Sequence, residues 1–319
     1  MKQFYVADLK NQTEIIDFYM VKSIGLKTGA NKKQYLDMTL GDKTGEISAK
    51  KWDVSDEEAT GLSTIKEGEI IKIKAGTNIW QGVTQLRVTR IRRTSAADNL
   101  DIEDFIKAAP ENSQDMYDYI YGVADAMKDS DFRALCLRIL EDNHDKLMYY
   151  PAASKNHHAE YGGLLYHIKR MLMSGIQLCK IYDNLNADLV CTGVIIHDIE
   201  KITEIESNEY GISPGYSFEG QMLGHIVQGV RMIDALCIEL GICREKAIML
   251  EHMILSHHYE PEFGSPKKPM FPEAEMLHYL DVMDARMFDM HEALLSVEPG
   301  GFSERIRPLE NRKIYKPQF

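Results

Sequence analysis

A chain of 319 residues with 44% hydrophobic content is long enough for two domains, each able to bury a core of its own. The opening MKQFYVADLK lacks a continuous apolar stretch with a cleavage site, and no later segment approaches the ~18 uncharged apolar residues that span a bilayer, so neither secretion nor membrane insertion is expected, and a cytoplasmic protein with no membrane partner is. The net charge of −12 speaks against a polyanionic partner only until it is divided: residues 1–97 carry 16 Lys and Arg against 12 Asp and Glu, leaving 21 against 37 for the rest. That asymmetry suits a basic module for a polyanion beside an acidic module for cations, or two ordinary soluble domains.

From about residue 15 to 93 the pattern is that of short strands. Residues 34–40, 46–52, 69–76 and 83–92 alternate apolar with polar side chains, and glycine-containing turns separate them. Five or so strands in about 80 residues predict a small barrel. Residues 80–92, WQGVTQLRVTRIR, resemble the closing strands of an OB-fold, a barrel that holds oligonucleotides with aromatic platforms for bases and Lys or Arg for phosphates. The candidates for that nucleic-acid contact are Tyr35, Trp52, Trp80, Lys72, Lys74, Arg87 and Arg90. The alternative is that the aromatics are barrel core and the charges a solvated outer face.

Near residue 94 the composition changes. A polar stretch with Pro110 leads to helix-start chemistry at Asn112 and Ser113. From there to about residue 296 the apolar period is helical, over 116–127, 132–143, 162–182, 188–199, 222–241, 244–258 and 274–295. The expected division is an OB-fold domain over 1–97, a helical linker region over 98–145 and a helical domain with a C-terminal tail over 146–319. Cys136, Cys179, Cys191, Cys237 and Cys243 form no CxxC pair and read as reduced core residues, and most of the 17 methionines read as gap-filling core. The basic tail IRPLENRKIYKPQF either packs on the body or reaches toward nucleic acid.

Ten of the eleven histidines lie after residue 150. His167 sits on a helix after Gly162-Gly163, His197-Asp198 closes an apolar run, His225 follows Gly224, His257-His258 ends another helix, and Asp281 lies in LHYLDVMDARM. A lone histidine on an apolar stripe is commonly a satisfied core residue. Five helices that each deliver an imidazole or a carboxylate need a common partner, because each such group buried alone costs on the order of a few kcal/mol. A shared metal site supplies it. Imidazoles with carboxylates and no cysteine cluster suit Mn²⁺, Fe²⁺, Co²⁺ or Zn²⁺, and Asp198 is placed to bridge two ions.

The order His167, His197-Asp198, Asp281 resembles the H…HD…D signature of the HD phosphohydrolase superfamily, and His225 with His257-His258 resembles its two-metal branch. The stretches PAASKNHHAEYGGLLYH (151–167), HDIEK (197–201) and SHHYEPEFGSPKKPMFPEAEMLHYLDVMDARM (256–287), behind an OB-fold and ahead of LENRKIYKP, are similar to the YhaM-type 3′-to-5′ exoribonucleases over nearly the whole chain. The fold expected is therefore multidomain, an N-terminal all-β OB-fold barrel followed by an all-α HD-type phosphohydrolase domain. One departure stands out: where the family pattern reads HDxGK, this chain has Glu200.

The resemblance implies two divalent ions, Mn²⁺ foremost, the first held by His167, His197, Asp198 and Asp281 and the second by Asp198, His225 and His257, with His258 as an alternative ligand. Lys201 would contact a phosphate oxygen, and His158 or His258 would give a proton to the departing 3′ oxygen. His157 and His158 could equally support the ligands from behind. Single-stranded RNA and single-stranded DNA are the implied substrates and a homo-oligomer the implied assembly. Two rival readings remain: an HD phosphohydrolase acting on small nucleotides or cyclic dinucleotides, and a non-catalytic nucleic-acid-binding factor.

Overall fold

A computed structural model describes residues 2–9, 14–29, 33–80, 83–153, 160–208, 210, 211, 213 and 215–319, leaving aside the side chains at 56, 57, 80, 96 and 103. The chain divides into two compact units, Met1–Ala108 and Ala109–Phe319.

In the first unit the period-two stretches become β1 (Glu14–Thr28), β2 (Gln34–Asp42), β3 (Gly45–Lys51), β4 (Ile70–Trp80) and β5 (Val83–Arg93), with helix α1 (Asp56–Leu62) between β3 and β4. The five strands close in the order β1-β2-β3-β5-β4, with β3 and β5 parallel and every other pair antiparallel. This is the OB-fold barrel. Alternation puts Leu36, Met38 and Leu40 of β2, Ile71 and Ile73 of β4 and Leu86 and Val88 of β5 in one core. β1 has no clean alternation because it serves two neighbours. Residues Glu14–Met20 pair with β4, Met20–Thr28 pair with β2, and a register shift between Val21 and Ser23 turns the strand from one to the other. Helix α1, which the sequence pattern does not predict, starts at a capping box in which Ser55 and Glu58 each bond the other's backbone N–H.

In the second unit α2 (Ser113–Asp125) starts where the sequence expects, with Asn112 Oδ1 accepting from Gln114 N and Asp115 N. The helices α3 (Ser130–Asp142), α4 (His144–Leu147), α5 (Gly163–Ile181), α6 (Ala187–Ile196) and α7 (Lys201–Glu204) follow. A two-stranded ladder of β6 (Ile205–Glu206) and β7 (Gly215–Tyr216) leads to α8 (Phe218–Glu239), α9 (Arg244–Ser256) and α10 (Pro272–Leu295). Ile120 of α2 and Leu135 of α3 share a core with Ile168, Val194, Leu250 and Leu277 of the later helices. The helices of the 98–145 region thus contribute to the second unit's core, while residues 98–108 belong to the first unit.

One packing expectation changes: Cys243 is exposed, because it caps α9 in the turn after Gly241. Most of the described methionines are buried or pack against the two cores, while Met173, Met222, Met270, Met283 and Met287 are exposed. The tail packs back: Leu309 is fully buried, Lys316 Nζ donates to Leu294 O at 3.0 Å, and Arg286 of α10 pairs with Glu310. Among the described residues no helix is long and apolar enough to cross a membrane.

Candidate metal centre

Five short pieces of chain carry the chemistry. His167 lies in α5, His197 caps the C-terminus of α6, Asp198 occupies the turn into α7, and Lys201 begins α7. His225 lies in α8, His257 and His258 follow α9, and Asp281 lies in α10. His167, His197 and Asp281 each offer one ligand atom within 4.8 Å of the others, and so do Asp198, His225, His257 and His258. Asp198 faces both groups. Its Oδ2 lies 3.4 Å from His197 Nε2 and 3.8 Å from His167 Nε2, while its Oδ1 lies 3.4 Å from His225 Nε2 and 3.8 Å from His257 Nε2.

Every ring in these groups is held from behind through Nδ1. His197 and His257 donate to Val194 O and Ile254 O at 2.8 and 2.7 Å, each taking a carbonyl that the end of its own helix leaves free. His258 donates to Phe263 O at 2.6 Å. His167 donates to Asp284 Oδ2 at 2.8 Å, and Arg170 Nε holds the other oxygen of Asp284 at 2.8 Å. His225 donates to Glu204 Oε2 at 2.8 Å, and its backbone N–H donates to Glu204 Oε1 at 3.2 Å. That last pair depends on Gly224, whose φ of 68° and ψ of 162° break α8 and turn the next N–H outward to the carboxylate. With Nδ1 committed in all five rings, Nε2 is the atom that faces inward.

The electrostatics fit a cation. Asp198 Oδ1, His225 Nε2 and His257 Nε2 are buried with no hydrogen-bond partner, a costly state that a shared positive ion relieves. Burial alone would raise the Asp198 and Asp281 carboxyls, yet Lys201 and His197 beside the first and His167 beside the second hold both far below the usual range. Burial pushes His257 well down, with His258 and His197 adding to it, and lowers His258 too, so both favour the neutral, ligating form. His167 behaves otherwise. Burial works against its charge, but Asp281 and Asp284 outweigh it and push the ring up to about 9. A proton there stands where a cation between His167 and Asp281 would stand.

Lys201 Nζ donates to Asp198 Oδ2 at 2.6 Å, and although burial would discharge it, Asp198, Asp281 and Glu204 keep it protonated. Glu200 has an ordinary φ of −72°, so the backbone at this position does not require glycine. His157, His158 and the side chain of Trp80 lie outside the described residues. Three participants escape the sequence reading: Asp284, Glu204 and Arg170. The available signal is spacing, since Asp284 falls one helical turn after Asp281 and Glu204 one turn after Lys201.

On the barrel the predicted residues form two groups. Tyr35 and Trp52 stack on each other with centroids 4.7 Å apart and belong to neither core. Lys50 Nζ lies 5.8 and 6.0 Å from their rings, and Arg87 is its partner in the parallel β3–β5 register. Lys72 and Lys74 of β4 form the second group, Lys74 facing Arg90 across the ladder and Lys72 lying 4.7 Å over the Phe18 ring.

Comparison with known proteins agrees with this geometry. The family model of the HD domain, a domain type that implies divalent-metal binding, matches residues 164–286, the segment that carries the cluster. The 3′-5′ exoribonuclease YhaM of Geobacillus sp. (strain WCH70) is 40% identical over 96% of this chain and 93% of its own length. That of Halalkalibacterium halodurans is 38% identical over 95% and 92%, and that of Bacillus subtilis (strain 168) is 37% identical over 96% of both. Likeness of this degree, running through barrel and helical unit alike, places the chain in the YhaM family of 3′-5′ exoribonucleases.

Proposed function

We propose that this chain shortens single-stranded RNA, and single-stranded DNA, from the 3′ end by metal-dependent phosphodiester hydrolysis, releasing nucleoside 5′-monophosphates. The observation that carries the reading is Asp198, a buried carboxylate whose two oxygens face two separate groups of ligand-type atoms. His167, His197, Asp281 and Asp198 Oδ2 would hold one divalent ion, and Asp198 Oδ1, His225, His257 and His258 a second. Mn²⁺ suits this mixture of imidazole and carboxylate, and Co²⁺, Fe²⁺ and Zn²⁺ are compatible with it. Such a pair supplies an acidified water and charge neutralisation at the scissile phosphate.

The chain's own side chains do the rest. Lys201, kept protonated beside Asp198, presents an ammonium to a non-bridging phosphate oxygen. His258 suits a ligand better than a proton donor, since Nδ1 is committed to Phe263 and burial keeps the ring neutral. On the barrel the Tyr35–Trp52 pair offers a stacking surface to bases, and Lys74, Arg87 and Arg90 offer charge to phosphates. The free cysteines suit a reducing compartment, the cytoplasm.

End-labelled RNA tests the reading. With Mn²⁺ a 3′ label should leave at once as a mononucleotide and a 5′-labelled strand should shorten stepwise, both stopping under chelation. Asp198→Ala should abolish turnover while retaining RNA binding. A purified Asp198→Ala protein that degraded RNA at the wild-type rate would remove the metal centre from the chemistry.

A further inference from the structure

The metal centre opens into a cleft of about 540 Å³ whose lining divides by chemistry. Lys201, Glu204, His225, His258 and Asp281 are its polar members and belong to the centre already described. The remainder is apolar and includes Tyr216, Phe263, Pro308 from the C-terminal tail, and the small Ala153 and Ala285. Among the described residues, apart from the Tyr216 hydroxyl, no side chain lining this second part can hydrogen-bond. Its two aromatic rings are conspicuously wet, Tyr216 being 49% and Phe263 69% exposed.

Both rings are tied to the centre through the backbone. Tyr216 pairs in the β6–β7 ladder with Ile205, the residue after Glu204, and Glu204 is the carboxylate that holds His225. Phe263 gives its carbonyl to His258 Nδ1, in a tight turn that Gly264 closes at φ 98°. The backbone that carries each ring is therefore held close to the imidazoles, while the rings themselves remain exposed. A nucleotide whose phosphate lies among Lys201, His225 and Asp281 must put its base on whatever lines the rest of the cleft.

We infer that Tyr216 and Phe263 form the seat of the 3′-terminal base, holding it by stacking and apolar contact without reading its edge. The inference rests on the exonuclease reading and adds a specificity rule to it. Every base has a π-face, so a seat of this kind accepts all four. It also distinguishes a terminus with a base from one without.

The test uses the full-length, Mn²⁺-loaded protein and 5′-labelled oligoribonucleotides of equal length ending in A, C, G, U or an abasic ribose, followed under single-turnover conditions. The four ordinary ends should be removed at rates within about threefold of one another, and the abasic end roughly 5- to 150-fold more slowly, the range that stacking of one base is worth. Tyr216→Ala/Phe263→Ala should slow ordinary ends toward the abasic rate and leave the abasic rate where it was. Equal removal of abasic and ordinary ends overturns the seat, and that comparison needs no variant to fold. A double variant that slows both kinds of end equally also overturns it, as do rates that differ more than about tenfold among the four bases, which would mean that an edge is read. In each of these cases the exonuclease reading stands. A wild-type protein that binds Mn²⁺ yet leaves every oligonucleotide intact overturns the exonuclease reading, and the seat with it.

Discussion

The outer face of the barrel and the metal centre both collect charged and aromatic side chains, but they are built in opposite ways. On the barrel, position follows from strand register: Lys74 faces Arg90, Lys50 lies beside Arg87, and no one of these groups fixes the others. Their neighbouring ion pairs, such as Lys27–Asp37 and Lys33–Asp53, lie in solvent, where such pairs contribute little. In the centre each imidazole is fixed by a second group, and two of those groups are fixed again, Asp284 by Arg170 and Glu204 by the backbone of its own histidine. A surface of independent parts should lose function in small steps. A buried network should lose it disproportionately when one member changes.

The sharpest way to break that contrast is to change the braces without touching a ligand. Asp284 uses one oxygen for Arg170 and the other for His167, and Glu204 uses one for the backbone and one for the ring of His225. An amide has a single acceptor oxygen, so Asp284→Asn and Glu204→Gln must each lose one of the two bonds. Loss of such an outer partner typically weakens metal affinity by roughly 10- to 100-fold. Calorimetric titration of the metal-free protein with Mn²⁺ should show that loss, with Glu204→Gln weakening one binding step and Asp284→Asn the other. Unchanged isotherms would place the braces among merely structural contacts.

These braces also show where the sequence stops being readable. The ligand types are legible because His and Asp inside apolar helical stripes break the stripe, as His197-Asp198 does after a run of apolar residues. Asp284 breaks nothing: by spacing alone it is another carboxylate on a helix that carries many, and only the packing of α10 against α5 buries it beside His167. The barrel divides in the same manner. β2, β4 and β5 alternate and are predicted. β1 does not, since one strand bonding two partners around a bulge must bury consecutive residues, as Tyr19, Met20 and Val21 are. Tyr35 and Trp52 leave two readings open in the sequence, core or platform, and the structure puts their stacked rings outside the core.

Single substitutions on the barrel should give the graded response. Trp52 is 46% exposed, and Trp52→Ala removes one stacking partner, which should weaken binding of single-stranded RNA by roughly tenfold with little change in its salt dependence. Lys74→Ala and Arg90→Ala should each cost only a few-fold and reduce the steepness of the salt dependence by about 0.7, the contribution of one phosphate contact on a single strand. If either charge substitution abolished binding outright, the barrel face would be a network of the centre's kind.

The centre also predicts a pH response in the metal-free protein. His167 keeps its proton in the folded state up to about 9, against 6.5 for an ordinary imidazole. A raised folded value stabilises fully below pH 6.5 and is lost as the pH climbs through about 9. The melting temperature of the chelated protein should therefore fall over that window. Saturating Mn²⁺ should flatten or reverse the fall, because the ion takes the proton's place and its affinity rises as protons leave. A melting temperature that is level across the window without metal would mean that Asp281 and Asp284 do not hold His167 charged.

The smallest effect is expected inside the HDIEK stretch, at Glu200. Glu200 stands before α7 with φ −72° and ψ 0°, and its carbonyl accepts from Thr203 N and Glu204 N, bonds that any residue can make. The backbone there is ordinary and places no demand for glycine. What the carboxylate adds is charge, two residues from Asp198, on a side chain that is partly in solvent. Solvent screens such a charge, whereas the centre's own carboxylates act across a buried space. Glu200→Gly should thus cost about 0.5–1 kcal/mol of stability, the usual penalty of glycine's extra freedom, and change Mn²⁺ affinity and kcat/KM by no more than about twofold. A tenfold change in metal affinity would show that a surface charge reaches the centre's field, and the boundary drawn between graded surface and cooperative interior would have to move outward to include it.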